Sequence, residues 1–247
     1  MSIKKHIPNA ITSLNLICGV IGIIALFEPE LHAIAYFPFL CMLTAVLFDF
    51  CDGLAARLLG AYSPLGKELD SLADMVSFGV LPALMMYFNC SLWAAGGIVV
   101  FFAWIPLLIA VFSAVRLAKF NLDERQHSSF IGLPTPASAL ICGSLCCLLG
   151  YLPDSFGTAI PWILIGVSLV LCVLLVCELP MFSFKFGKDI EADTATKMLR
   201  YALLSISFII IVLVILFALP WPAIILGIFL VYILENALFR LLAPNKA

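Results

Sequence analysis

The chain has 247 residues, of which 64% are apolar and only 11% are Asp, Glu, Lys or Arg, whereas a soluble domain has about 25% charged residues. The mean hydropathy is +1.18 and the formal net charge is −2. A soluble globule of this composition would expose large apolar patches and aggregate, which excludes a soluble enzyme, a nucleic-acid-binding protein and a disordered chain.

Apolar runs separated by prolines and other helix breakers predict an all-α integral membrane protein, a bundle of about eight transmembrane helices of about 20 residues each. We expect one membrane domain over residues 1–247. The predicted spans are Ala10–Phe27, Leu31–Phe50, Leu65–Phe88, Leu92–Val115, Pro136–Leu152, Ile160–Cys177, Tyr201–Ala218 and Trp221–Phe239.

The basic residues predict the orientation of these spans. With the N-terminus in the cytoplasm, all thirteen Lys and Arg residues fall on the cytoplasmic side, as the positive-inside rule requires. Both termini are therefore predicted to be cytoplasmic. The basic residues are Lys4, Lys5, Arg57, Lys67, Arg116, Lys119, Arg125, Lys185, Lys188, Lys197, Arg200, Arg240 and Lys246.

Four aspartates, Asp49, Asp52, Asp70 and Asp74, lie at or within the ends of the second and third predicted spans. A charged side chain at membrane depth costs about 2.5–3.5 kcal/mol on insertion scales, and four carboxylates together repel one another. The spacing of three and of four residues puts each pair on one helix face. If the 54–65 connection turns the chain back, the two pairs face each other and form an all-oxygen site for Mg²⁺ or Mn²⁺.

Residues between the aspartates fit a phosphate-containing substrate. Gly53, Ala56 and Gly66 are small enough to leave room for a flat group between the helices. Arg57 offers a fixed fork of donors for phosphate oxygens, and Ser63 in the turn offers a hydroxyl. The alternative is that the aspartates form structural ion pairs with Arg57 and Lys67.

This region resembles the signature of the CDP-alcohol phosphotransferase family, D-x2-D-G-x2-A-R-x8-G-x3-D-x3-D. The resemblance implies that Asp49, Asp52, Asp70 and Asp74 surround two divalent ions, and that Asp74 is the catalytic base. It also implies that Gly53, Arg57 and Ser63 contact the CDP part of the donor. The family typically has a six-helix core, which the resemblance places in residues 5–178, with two additional spans in 201–240. Every fixed position is filled, by Asp49, Asp52, Gly53, Ala56, Arg57, Gly66, Asp70 and Asp74.

Further stretches resemble the phosphatidylserine synthase subgroup of that family. They are residues 7–19, 71–83, 116–121 and 130–137. This resemblance implies CDP-diacylglycerol as donor, L-serine as acceptor, a homodimer and, in a bacterium, a place in the inner membrane with the active site facing the cytoplasm. The subgroup often has Arg where this chain has Lys119.

Residues outside the signature are candidates for substrate binding. Arg116 and Lys119, three apart, could bind the serine carboxylate or the donor phosphates, or could only fix the orientation of their span. Asn121 could be a hydrogen-bond partner or a helix stop. Thr12 and Asn15 share one face of the first span and could contact CDP-diacylglycerol or only pack helices together.

The sequence also fits two other functions. The same chemistry could use glycerol 3-phosphate or another polyol as acceptor. A non-catalytic cation channel or carrier could use the aspartate cluster as its ion site, and it would then show metal flux without release of CMP.

Overall fold

The structure, a computed structural model, describes residues 6–32, 36–94, 96–123, 130–181 and 194–242, and most of them are helical. In this part of the chain two short strands, β1 (Phe130–Ile131) and β2 (Pro180–Met181), pair antiparallel. The helices are α1 His6–Phe27, α2 Pro29–His32, α3 Phe37–Leu59, α4 Pro64–Asp74, α5 Leu81–Trp93, α6 Val99–Phe102, α7 Leu108–Leu122, α8 Thr135–Leu148, α9 Ile160–Val176, α10 Thr194–Leu216 and α11 Pro222–Leu242.

Six helical segments among the described residues are long and apolar enough to cross a membrane, which confirms the prediction of an all-helical, multi-pass membrane protein. Two further apolar helices, Thr135–Tyr151 and Ile160–Val176, match the fifth and sixth predicted spans but are shorter than these six segments. A count of eight spans therefore stays a prediction. The six segments are His6–Phe27, Phe37–Leu59, Pro64–Trp93, Val99–Leu122, Lys197–Leu216 and Pro222–Arg240.

Several basic residues used for the orientation lie outside the described residues. The cytoplasmic placement of both termini likewise stays a prediction. The residues concerned are Lys4, Lys5, Arg125, Lys185, Lys188 and Lys246.

The second spanning helix ends later than its apolar run predicts. Helix α3 continues to Leu59 and stops at Gly60, whose positive φ of 57° gives the left-handed cap that glycine adopts without strain. Helix α4 begins at Pro64, so the turn covers 60–63 and the predicted 54–65 connection is wrong. The aspartates of α3 consequently lie inside the helix, with two further helical turns between them and the cap.

Helix α1 packs closely against the segment that follows α4. That segment, Met75–Val80, is a π-helix that joins α4 to α5 in one continuous rod. The Ser77 hydroxyl donates a hydrogen bond to the Asn15 carbonyl oxygen at 3.0 Å. A methyl group at Gly19 would lie 2.9 Å from the Ser77 Cα, so only glycine permits this approach.

A small clasp joins the loop before α8 to the end of α9. Besides the β1–β2 pairing, Gly132 N donates to Leu179 O at 2.9 Å and Leu133 N donates to Leu174 O at 2.8 Å. Gly132 has a φ of 75°, and a Cβ there would lie 2.9 Å from the Cys177 carbonyl oxygen. The clasp therefore depends on glycine for both its conformation and its close contact.

Candidate active site

Three carboxylates, one from helix α3 and two from helix α4, converge in the structure. Asp49 of α3 and Asp70 and Asp74 of α4 each offer one oxygen, and the three oxygens lie within 4.8 Å of one another. The 60–63 turn folds α4 back along α3 and so brings together residues that are 21 and 25 positions apart in sequence. Carboxylates this close repel strongly unless a cation or shared protons neutralise them.

The donor set fits a hard divalent cation. Asp70 Oδ1 and Asp52 Oδ2 are buried and have no hydrogen-bond partner among the described residues, which leaves lone pairs free for a metal ion. Oxygen-only ligands are what Mg²⁺ and Mn²⁺ prefer. The cluster could therefore hold such an ion, although Asp52 lies outside the convergent set of three.

The ion-pair alternative does not match the arrangement of the basic side chains. Arg57 and Lys67 are both exposed. The Lys67 Nζ donates a hydrogen bond to the Asn121 carbonyl oxygen at 3.0 Å instead. Within the described ranges, neither residue forms an ion pair with any of the four aspartates.

Asp74 is the most buried of the three converging aspartates, and Asn15 orients its carboxylate. The Asn15 Nδ2 donates to Asp74 Oδ1 at 3.1 Å, and the Asn15 side chain is fully buried. Asp74 is the last residue of α4, directly before the π-helix, a feature that occurs frequently at functional sites. Of the two polar residues predicted on α1, Asn15 thus contacts the carboxylate cluster.

A cavity of about 470 Å³ lies beside the cluster, between α1 and the α3–α4 hairpin. Thr12, the other predicted α1 residue, is on its wall, with its hydroxyl donating to Pro8 O at 3.0 Å. Arg57, Asp49 and Asp74 are not part of the lining. The lining residues are Pro8, Asn9, Thr12, Asp52, Gly53, Ala56, Ala61, Tyr62, Ser63, Pro64, Gly66, Lys67 and Asp70.

The two glycines of this region differ in their surroundings. A Cβ at Gly53 would meet nothing within 4 Å, so Gly53 borders open space, as predicted for a residue that leaves room. A Cβ at Gly66 would lie 3.0 Å from both Asn9 Oδ1 and Ser63 Oγ. The room at Gly66 is therefore occupied by protein side chains. Ser63 caps α4 by accepting a hydrogen bond from the Gly66 N–H at 3.0 Å.

A comparison with protein families gives a match over residues 5–174 to the CDP-alcohol phosphatidyltransferase family. The chain belongs to this family. The match contains the three converging aspartates and every described residue of the cavity wall, and it ends before α10 and α11.

Relatives with the name CDP-diacylglycerol–serine O-phosphatidyltransferase occur in bacteria and archaea. The Bacillus subtilis protein is 38% identical over 136 residues, which are 55% of this chain and 72% of the relative. The Methanocaldococcus jannaschii protein is 35% identical over 176 residues, 68% of this chain and 74% of the relative. The Mycobacterium bovis protein is 35% identical over 183 residues, 71% of this chain but only 60% of the relative.

The basic residues predicted near the site have unlike environments. Arg116 is only 6% exposed and donates from Nη1 to the Thr135 hydroxyl at 3.4 Å. Lys119, one turn further along α7, is exposed. Asn121 donates from Nδ2 to Ser71 Oγ at 2.8 Å and so joins the end of α7 to α4.

Sequence reasoning missed some residues of the candidate site. Asn9, Tyr62 and Lys67 line the cavity, and Thr135 holds Arg116. For Asn9 a signal existed, because it precedes Thr12 by the same three residues that separate Thr12 from Asn15. Tyr62 and Thr135 carried no such signal, since their positions depend on a turn and on packing between helices.

Proposed function

We propose that this protein transfers the phosphatidyl group of CDP-diacylglycerol to the hydroxyl of L-serine, giving phosphatidylserine and CMP. The observation that carries the proposal is the convergence of the Asp49, Asp70 and Asp74 oxygens beside a cavity of about 470 Å³. The names of the relatives support serine as the acceptor.

The cavity is the proposed binding site for the cytidine diphosphate part of the donor. Gly53 and Ala56 leave space for a flat group. The adjoining wall is formed by Thr12, Ser63 and Gly66. Asn15 is not part of the wall, but it binds Asp74 beside the cavity and is proposed to help bind the donor. Arg57 is exposed at the inner end of α3, from which its long side chain can reach donor phosphates. The acyl chains remain in the bilayer.

Two Mg²⁺ or Mn²⁺ ions are the proposed cofactors, held by Asp49, Asp52, Asp70 and Asp74. When bound, they neutralise the diphosphate and the charge that develops during displacement. The buried, unpartnered oxygens of Asp52 and Asp70 support this assignment.

The chain's own residues position the acceptor and take its proton. Asp74, oriented by Asn15, accepts the proton of the serine hydroxyl. The serine oxygen then bonds to the lipid-side phosphorus as the bond from that phosphorus to the CMP oxygen breaks. The proposed binding residues for the serine carboxylate or the phosphates are Arg116, whose buried Nε has no hydrogen-bond partner among the described residues, and Lys119 and Asn121.

We further propose eight spans with both termini in the cytoplasm, the active site facing the cytoplasm, and, in a bacterial cell, a place in the inner membrane. Residues 5–178 would form the six-helix core, and the two later spans would be additions to it. A homodimer is proposed on the family resemblance alone.

The test is the release of CMP from CDP-diacylglycerol by the purified, detergent-solubilised protein. Serine, glycerol 3-phosphate and inositol are compared as acceptors with Mg²⁺ or Mn²⁺ present. We expect release that depends on serine. Release only with another alcohol would overturn the choice of acceptor, and metal flux into vesicles without any CMP release would favour the channel or carrier.

A further inference from the structure

One basic side chain lies on the wall of the cavity proposed for CDP. Among the described residues that line this cavity, Lys67 is the one with a positive charge. Asp52 and Asp70 on the same wall are carboxylates, which repel phosphate groups. Arg57, the basic residue of the signature, is not part of the lining. A diphosphate in this cavity would therefore meet a single cation that the wall itself supplies.

Lys67 shares one face of α4 with two aspartates of the carboxylate cluster. Asp70 follows it by three residues and Asp74 by seven, which is the spacing of side chains along one side of a helix. Three residues advance a helix by about 4.5 Å along its axis. The cation therefore lies next to the carboxylate cluster, on the side towards the 60–63 turn.

The Lys67 ammonium group has a defined position although the side chain is exposed. Its Nζ donates a hydrogen bond to the Asn121 carbonyl oxygen at 3.0 Å. Asn121 belongs to the last turn of α7, where carbonyl groups have no acceptor role left within the helix and the helix dipole favours a cation. The end of α7 thus holds the ammonium group at the cavity wall.

A second bond joins the same two helices without using the charge of Lys67. The Asn121 Nδ2 donates to Ser71 Oγ at 2.8 Å. The Ser71 hydroxyl in turn donates to the Lys67 carbonyl oxygen at 3.2 Å. Helices α4 and α7 are therefore tied together twice through Asn121. Because only one of the two ties involves the ammonium group, a structural role of Lys67 can be separated from a role in binding.

The ammonium group has donors left for a ligand. A lysine side chain carries three N–H donors, and the bond to Asn121 uses one of them. No residue in the described part of the chain accepts a bond from the other two. Lysine binds phosphate groups as a compact point charge, so a cation of this kind on a cavity wall suits a phosphate oxygen.

We propose that Lys67 binds a phosphate group of CDP-diacylglycerol, and that the Asn121 carbonyl oxygen positions its ammonium group for this contact. Helix α7 then contributes to the donor site through its last turn, although it supplies no residue of the cavity wall. This inference rests on the proposed function, because it assigns the diphosphate of that donor to Lys67.

The experiment measures the Kd of CDP for the purified full chain by calorimetry, with Mg²⁺ present and no acceptor. Lys67→Met keeps most of the side-chain length but removes the charge, and it should raise the Kd about tenfold because a hydrogen bond to a charged group is lost. Lys67→Arg keeps the charge and should retain most of the affinity. Lys197→Met, at an exposed position of α10, is the matched control and should bind CDP as the wild type does.

Ser71→Ala tests the structural alternative. It removes the tie from Asn121 to Ser71 and leaves the ammonium group in place, so the Kd of CDP should stay within about twofold of the wild type. A loss of affinity in S71A as large as in K67M would show that the joint between α4 and α7 explains the effect, and would overturn the inference. An unchanged Kd in K67M, or a K67R as weak as K67M, would also overturn it.

The wild type separates failure of this inference from failure of the proposed function. If the wild type does not bind CDP, the donor assignment and the role of Lys67 fail together. If the wild type binds CDP and releases CMP but K67M binds CDP equally well, the role of Lys67 alone fails. The acceptor is absent from the binding measurement, so the result applies whichever alcohol the protein uses.

Discussion

The four aspartates of the signature divide into two environments at the scale of single residues. The oxygens of Asp49, Asp70 and Asp74 converge, whereas Asp52 lines the neighbouring cavity with one buried oxygen unpartnered. Asp74 alone accepts a hydrogen bond from Asn15. This difference in surroundings supports a role for Asp74 that differs from the role of Asp52.

Asp74→Asn tests the proposed base. The substitution keeps the size of the side chain but removes its ability to take a proton, so turnover should fall by about 10²–10⁴-fold while CDP-diacylglycerol still binds. CMP release and donor binding are measured on the same preparation. Glu68→Gln, at an exposed position of α4, is the control. Turnover within a few-fold of the wild type would contradict the assignment of the base.

Removal of divalent metal tests the cluster as a whole. Protein treated with a chelator should lose CMP release, since without the ions the charge that develops during displacement is not neutralised. Mg²⁺ or Mn²⁺ should restore CMP release, because the converging carboxylates repel one another unless a cation lies between them. Added metal should also raise the Tm, since an ion that binds only the folded state stabilises it. Full activity in excess chelator would contradict a metal-dependent site.

At the scale of the elements, the site depends on how three helices approach one another. Helix α1 comes close to the π-helix at Gly19 and Ser77, and this contact brings Asn15 to Asp74. The 60–63 turn brings α4 back along α3. Between them the hairpin and α1 leave the cavity open at Gly53.

Gly53→Ala tests whether the donor uses this open space. Alanine favours a helix over glycine by about 1 kcal/mol, and nothing lies within 4 Å of the added Cβ, so the Tm should not fall. The added methyl group borders the cavity and should raise the KM for CDP-diacylglycerol several-fold. Gly166→Ala in α9, also open, is the control and should leave that KM unchanged. An unchanged KM in G53A would place the donor elsewhere.

Gly132→Ala tests the clasp between α8 and α9. Alanine at φ 75° is strained, and its Cβ would crowd the Cys177 carbonyl oxygen, so the Tm should drop by an amount equivalent to about 1–3 kcal/mol. Gly97→Ala has a similar φ of 72° with nothing within 4 Å, and it isolates the backbone strain. Equal losses in the two variants would show that crowding at the clasp contributes nothing.

At the scale of the whole molecule, the helices form a multi-pass membrane protein, and the side chains of the candidate active site lie close together within it. Large apolar side chains are exposed along α10 and elsewhere, as expected for surfaces in contact with lipid. Helices α8 and α9 are shorter than the other apolar helices, so the proposed topology is tested at these two helices.

Reporter fusions in a bacterial host test that topology. Alkaline phosphatase, which is active only outside the cytoplasm, should be active when fused after Gly157 and inactive when fused after Leu122. These positions lie on either side of α8. Inactivity at both positions would mean that α8 does not cross and would contradict the count of eight spans.

Much of the fold and site could be predicted, because a bilayer imposes strong constraints on a sequence. Apolar runs of sufficient length predicted most helices, and the rarity of carboxylates in such runs made the aspartates of α3 and α4 conspicuous. Helix ends were predicted less well. The end of α3 depends on the left-handed conformation of Gly60 and not on where the apolar run stops.

The sequence by itself determined the membrane class, the family signature and the aspartates that carry the proposed chemistry, since composition and local spacing are enough to specify them. Only the tertiary structure decided that three aspartates converge while Asp52 faces the cavity, and that Asn15 binds Asp74. The physical reason is that these arrangements depend on the rotation and close approach of separate helices. Packing between helices distant in sequence fixes both, and no local pattern records it.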